Sequence, residues 1–220
     1  IVDCAQELTN LTQLENSQNW LRTGEQTGGI HDVFLAYNGW YGVDDTGKGV
    51  GDWTPERYRP YLTYIDRNGV AQDTMFDAAL LLGIYSRYGN GYFNEQSSTY
   101  CKLKDWEWYL DKCFDDGGDV DNLELAAETA AMELKEPDYK VKLIISVPTA
   151  EAGSGEFGEI NGEMLNFKNT EDCYKALEWY MQEIVDRFNA KGYEHVELAG
   201  LYWYLEHGDY GAQRKFMGDW

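Results

Sequence analysis

The run Met75-Phe76-Asp77-Ala78-Ala79-Leu80-Leu81-Leu82-Gly83-Ile84-Tyr85 decides how this chain folds. Its apolar character is nearly continuous instead of alternating, the pattern of a strand covered on both faces within a parallel sheet. Upstream of it, Asp32-Val33-Phe34-Leu35-Ala36-Tyr37 reads as a short strand that ends in Asn38-Gly39-Trp40-Tyr41-Gly42. Between these two runs, Thr54-Pro55-Glu56 marks a helix start. A capping threonine is followed there by proline at the first helical position, where its missing N–H removes no bond. Tyr58, Tyr61, Leu62 and Ile65 form the inward stripe of that helix, and Asn68-Gly69 ends it.

Downstream, residues 86–99 form a loop rich in tyrosine, glycine and asparagine. A helix is predicted over 104–114, with Trp106, Tyr109, Leu110 and Cys113 at helical spacing, and another over 120–134. Val141-Lys142-Leu143-Ile144-Ile145-Ser146-Val147 is a third strand stopped by Pro148. The longest helix, over 170–190, is capped by Asn169 and leads to a fourth strand over 196–205, which runs into Glu206 and His207.

Strands alternating with helices give an α/β fold with a parallel sheet. Two architectures satisfy the order. One is TIM-barrel-like, the first half (about four strands) of a (β/α)8 barrel. The other is a small open parallel α/β sheet. No strand is followed by G-x-G-x-x-G or G-x-x-x-x-G-K-[ST], which removes the main reason for a dinucleotide or phosphate-loop fold and puts the barrel ahead. Residues 1–30 read as an irregular polar segment, and residues 31–220 as one barrel-like domain.

Charge narrows the function classes. The chain has 39 acidic and 18 basic residues, a formal net charge of −21. Nucleic acid is excluded as a partner, because phosphates require a basic footprint. No apolar run is long enough to cross a bilayer, so membrane insertion is not expected. Aromatic residues make up 15%, with 17 Tyr and 8 Trp, many in loops or at strand ends. Such amphipathic rings suit stacking on sugar rings, and equally suit protein interfaces. The cysteines, Cys4, Cys101, Cys113 and Cys173, read as small buried hydrophobes, with one bridge as the alternative.

Parallel (β/α) domains keep their chemistry at the C-terminal ends of the strands. Reading those ends gives Asn38, Trp40 and Tyr41, then Tyr85 and Ser86, then Ser146, Thr149 and Glu151, then Tyr204, Glu206 and His207. The set is polar and aromatic with two carboxylates, and fits a neutral, hydroxyl-rich ligand. Glycoside hydrolysis needs one carboxyl as acid, and a second about 5–5.5 Å away for retention or about 6.5–9.5 Å away for inversion. Glu206 is the candidate acid, since aromatic neighbours such as Trp203 and Tyr204 would raise its pKa. Glu151 is the weaker second candidate. A solvated loop glutamate is the ordinary alternative for both. Asn38, Trp40, Tyr41, Tyr85, Tyr204 and His207 are candidate substrate contacts. The three histidines lack metal-ligand spacing, and the acids Asp115, Asp116, Asp119, Asp121 and Glu124 lack a calcium-loop register, so no metal and no cofactor is expected.

Four segments carry a resemblance: Trp53-Thr54-Pro55-Glu56-Arg57-Tyr58-Arg59-Pro60-Tyr61, Phe76-Asp77-Ala78-Ala79-Leu80-Leu81-Leu82-Gly83, Lys104-Asp105-Trp106-Glu107-Trp108-Tyr109-Leu110 and Gly200-Leu201-Tyr202-Trp203-Tyr204-Leu205-Glu206. Over roughly residues 32–220 the chain resembles an uncharacterised family of secreted bacterial domains, found mainly in gut Bacteroidetes and in Firmicutes, often beside carbohydrate-binding modules. The resemblance implies a secreted or cell-surface protein and a glycoside-hydrolase-like barrel. It also implies that domains of the family are longer than this chain, with later strands supplied by further segments of the same protein. In glycosidase barrels of this kind a glutamate ending strand four is the acid/base, and the nucleophile ends strand seven. Glu206 matches the first position, and no residue here matches the second.

The leading expectation is therefore a glycoside hydrolase-like domain acting on a neutral polysaccharide or glycan. A non-catalytic carbohydrate-binding domain and a structural or interaction domain are the alternatives.

Overall fold

The computed structural model describes residues 23–91, 100–150 and 154–204. After a short 3-10 turn at Glu25–Thr27 come β1 (Val33–Tyr37), α1 (Pro55–Leu62), β2 (Thr63–Ile65), β3 (Ala71–Thr74) and β4 (Ala78–Leu82). Then follow α2 (Leu103–Phe114), α3 (Asp119–Leu134), β5 (Val141–Val147), β6 (Glu156–Ile160), β7 (Glu163–Asn166), α4 (Thr170–Lys191) and β8 (Val196–Trp203).

The four apolar runs read from the sequence are β1, β4, β5 and β8, and they form one sheet in that order, every pair parallel. Mixed α/β architecture with an open four-stranded parallel sheet is what the described residues build. Asp77, at the entry to β4, accepts the His31 and Asp32 backbone N–H groups at 2.9 Å each and so pins the start of β1 beside it.

The strand order never reverses, so crossovers of one hand lay the helices on one side of the sheet. The side chains on that side are buried: Phe34, Ala36, Ala79, Leu81, Leu143 and Ile145 join Trp106, Tyr109, Leu123 and Leu177 in a single core. Two aromatic nests brace it. Phe34 stacks on Tyr61 with ring centroids 4.8 Å apart, beside Trp53 and Tyr58. Trp106 meets Phe157 at 4.7 Å and Tyr180 at 5.3 Å.

The opposite face is apolar and uncovered along β1, where Val33, Leu35 and Tyr37 are 41%, 41% and 45% exposed. Register places Leu35, Leu80, Ile144 and Gly200 in one row across that face. Continuous apolarity in these strands thus reports two hydrophobic faces, of which the described helices cover one.

Local departures from the sequence reading have simple causes. The first helix begins as expected, with the Thr54 side chain accepting from Arg57 N–H and Pro55 in first place. It stops at Leu62 instead of continuing to Asn68, because Thr63-Tyr64-Ile65 is a β-branched and aromatic run that pairs antiparallel with β3 around the Asp66 turn. Ile65 is accordingly on a strand. The β6–β7 hairpin falls between the third strand and the longest helix, where the sequence reading placed no element. Its two-residue turn is Asn161-Gly162, both with positive φ (51° and 81°), the chemistry a tight hairpin turn demands.

Candidate functional site

The loops that follow β1 and β4 are laced together at the C-terminal end of the sheet. Asn38 N–H donates to the Leu82 carbonyl at 3.1 Å and Trp40 N–H to the Tyr85 carbonyl at 2.7 Å. Tyrosines gather on this lacing. The Tyr41 hydroxyl accepts from Ile84 N–H at 3.3 Å, and the Tyr204 hydroxyl donates to the Gly83 carbonyl at 2.8 Å. Tyr202 lies 6.1 Å from Tyr204, centroid to centroid. Burial raises the Tyr41 phenol above its usual pKa, with Tyr37 and Tyr85 adding to the effect. Burial raises Tyr204 too, and Tyr41, Tyr202 and Tyr37 reinforce it. The Tyr41 and Tyr204 phenols are therefore neutral hydroxyls at physiological pH. Trp40, 37% exposed, and Tyr37 open onto solvent at the same end.

Of the candidate residues read from the sequence, Trp40, Tyr41, Tyr85 and Tyr204 are brought together here. Asn38 is placed differently from a surface contact: it is fully buried, and both ends of its amide are engaged inside the fold. Its Oδ1 accepts from the Tyr109 hydroxyl at 2.7 Å, and its Nδ2 donates to Asp119 at 3.0 Å. Glu151, Glu206 and His207 lie outside the described residues.

Beneath the tyrosines runs a buried polar chain that sequence reading missed. Ser146 Oγ is 3.3 Å from the Tyr109 hydroxyl, which in turn donates to Asn38. Asp119 receives Asn38 Nδ2, Trp53 N–H at 3.1 Å and Lys112 Nζ at 2.8 Å. These three donors mark it as an ionised carboxylate, since a carboxylate is the acceptor-only form. Burial holds the Asp119 pKa above the usual carboxylate value, and Lys112 and the other donors pull it only part of the way back. Burial works against the Lys112 charge as well. Asp119, through its charge and its hydrogen bond, together with Asp52 at 3.1 Å, outweighs that and holds the ammonium above its ordinary pKa. Asp119 had read as one of a group of acids without a calcium-loop register, and Tyr109 as one more ring of an apolar stripe. The available signal was a pair of glycines, Gly117-Gly118, delivering Asp119 to the first turn of a helix directly before the buried Val120.

Glycine 83 makes room for this chain. A Cβ there would sit 2.3 Å from the Tyr109 ring, so the ring crosses the end of β4 only because that residue has no side chain. On the other flank, Asp105 is fully buried and accepts from Ser86 Oγ, from Asn90 Nδ2 at 3.0 Å and from Lys102 N–H at 2.7 Å. It ties the loop carrying Tyr85 to the start of α2. Both buried acids next to the site are thus held in structural networks.

Cys101, Cys113 and Cys173 are buried. Burial, reinforced by Asp119, pushes Cys113 up to about 12. Among the described residues no group of three or more His, Cys, Asp or Glu side chains is arranged to hold a metal ion. No described helix is long and apolar enough to cross a membrane. What the site offers chemically is a set of neutral hydroxyls and ring faces on a stiffened floor.

The chain belongs to a family described as Domain of unknown function (DUF4855), whose model matches residues 32–216. No curated protein and no solved structure matches it.

Proposed function

From membership in that uncharacterised family, we propose that the chain is a glycoside hydrolase-like domain acting on a neutral polysaccharide or glycan, outside the bacterial cell or on its surface. The observation that carries the reading is the cluster of Trp40, Tyr41, Tyr85, Tyr202 and Tyr204 at the C-terminal strand ends, an uncharged aromatic surface suited to sugar rings. Glu206 follows Tyr204 by two residues, and in this reading is the general acid, with Glu151 or a carboxylate from a further segment as its partner. No cofactor enters.

The finer architecture proposed is the first half of a (β/α)8 barrel. Register lays rows across the face that is open along β1: Val33, Ala78 and Lys142, then Leu35, Leu80, Ile144 and Gly200, with Tyr37 beside Leu82 and Ser146 beside Tyr202 at the strand ends. Side chains of a barrel interior stack in layers of this kind, dominated by branched residues, with the ligand side at the strand C-termini. Further strands of the same protein would cover them.

Non-catalytic glycan binding is the second reading, favoured by one observation: Asp105 and Asp119, the buried acids of the site, are both consumed by internal bonds. Release of reducing sugar from a panel of neutral polysaccharides by the intact protein and by its Glu206→Gln variant separates the two. Hydrolysis predicts a loss of at least about a hundredfold in the variant, the scale of general acid catalysis. Equal rates in both proteins remove Glu206 from the chemistry, and binding without any release leaves the non-catalytic reading.

A further inference from the structure

A second concave site lies away from the strand ends, where the tip of the β6–β7 hairpin meets the outer side of α4. The cleft has a volume of about 370 Å³ and an apolar floor made by Ile160, Leu165 and Trp179. Volumes of this order are those of small-molecule sites, which typically combine an apolar lining with a few placed polar groups. The hairpin's other face is buried, with Phe157 and Phe167 stacked at 4.3 Å and Phe157 against Trp106, so the cleft wall is anchored in the core.

The polar groups at its rim are unequal. Lys175 and Glu163 neutralise each other across the cleft at 2.6 Å, and Gln182 donates to Asp186 at 2.9 Å. Asn161 and Glu178 are exposed lining residues held by no such bond. Asn161 is presented by the positive-φ turn of the hairpin, which fixes its backbone. A half-buried indole flanked by a free amide and a free carboxylate is a platform for a ring that is apolar on its face and hydroxylated at its edge.

We propose that this cleft is a glycan subsite, taking a neutral sugar unit on Trp179 with Asn161 and Glu178 bonded to its hydroxyls. The proposal rests on the carbohydrate reading above and adds a second point of attachment for the same polymer. Two contacts on one polysaccharide raise avidity without altering the chemistry at the strand ends.

The test is an isotope-labelled NMR titration of the protein with cellohexaose, mannohexaose and xylohexaose. At least one of these is expected to shift the Trp179 indole resonance. The affinity read there should fall at least about tenfold in Trp179→Ala and in Asn161→Gly, the latter keeping the turn geometry that only glycine and a few residues accept. Trp179→Phe, which retains a ring and guards against misfolding, should bind with intermediate affinity. Shifts at Trp40 and Tyr85 with none at Trp179 overturn the subsite and leave the strand-end reading standing. Shifts at Trp179 alone uphold the subsite and remove the strand-end surface. No shift at any of these residues overturns both.

Discussion

The Tyr109 hydroxyl lies 2.7 Å from Oδ1 of Asn38, joining a helix to the first residue past β1 across the end of β4. With Ser146 on its other side, this one phenol gathers the C-terminal ends of three neighbouring strands. Tyr109 and Asn38 are both buried, so each group is costly to leave unpaired. Tyr109→Phe should destabilise the protein by about 1–3 kcal/mol, the cost of an unmade buried hydrogen bond. Urea unfolding checks it, with a lower midpoint and an unchanged slope expected.

Gly83→Ala should be destabilising for a steric reason in the same place. The added methyl would meet the Tyr109 ring at 2.3 Å, and that ring is buried and cannot swing into solvent. Overpacking of this kind costs about 1–3 kcal/mol. A thermal melt showing no loss of stability would mean that the ring does not cross above β4.

Lys112→Met should cost more, about 3–5 kcal/mol, because it leaves the buried Asp119 carboxylate without its cation. The sign of its pH dependence follows from the raised folded pKa of Lys112. Its stabilisation is fully present below the unfolded value of 10.5 and is lost as pH rises through the higher folded value. The stability gap between wild type and Lys112→Met should therefore be level from neutral pH to about pH 10 and shrink above it. Paired denaturation curves across that range measure it.

The four strands and their parallel pairing could be read from the chain because parallel strands with two apolar faces write themselves as unbroken apolar runs. The helix caps at Thr54 and Asn169 were readable because a cap is a local event, settled within three residues. The roles of Asn38 and Asp119 were not. They are 81 positions apart, and each type of residue has an ordinary local explanation, a turn asparagine and a helix-start acid. Only the fold discloses that they bond to each other in the interior. The β6–β7 hairpin had a local signal in Asn161-Gly162, but its strands are short and its alternation is interrupted by Gly158.

The proposed half-barrel makes its own prediction at Leu35, which is 41% exposed on the uncovered face. In the isolated chain Leu35→Asp should change stability by no more than about 0.5 kcal/mol, as for a surface position. In a longer polypeptide carrying the later strands, the same substitution buries an unpaired charge and should cost at least about 3 kcal/mol. Equal small effects in both proteins would mean that nothing covers this face.

The claim that the aromatic strand-end surface binds neutral glycans is tested most directly by calorimetric titration with the same oligosaccharide panel, comparing wild type with Trp40→Ala and Tyr85→Ala. The account predicts measurable binding by wild type and a loss of at least about tenfold in each variant, about 1.4 kcal/mol, with melting temperatures unchanged. Binding that is equally tight in all three proteins, or absent from wild type, would contradict it.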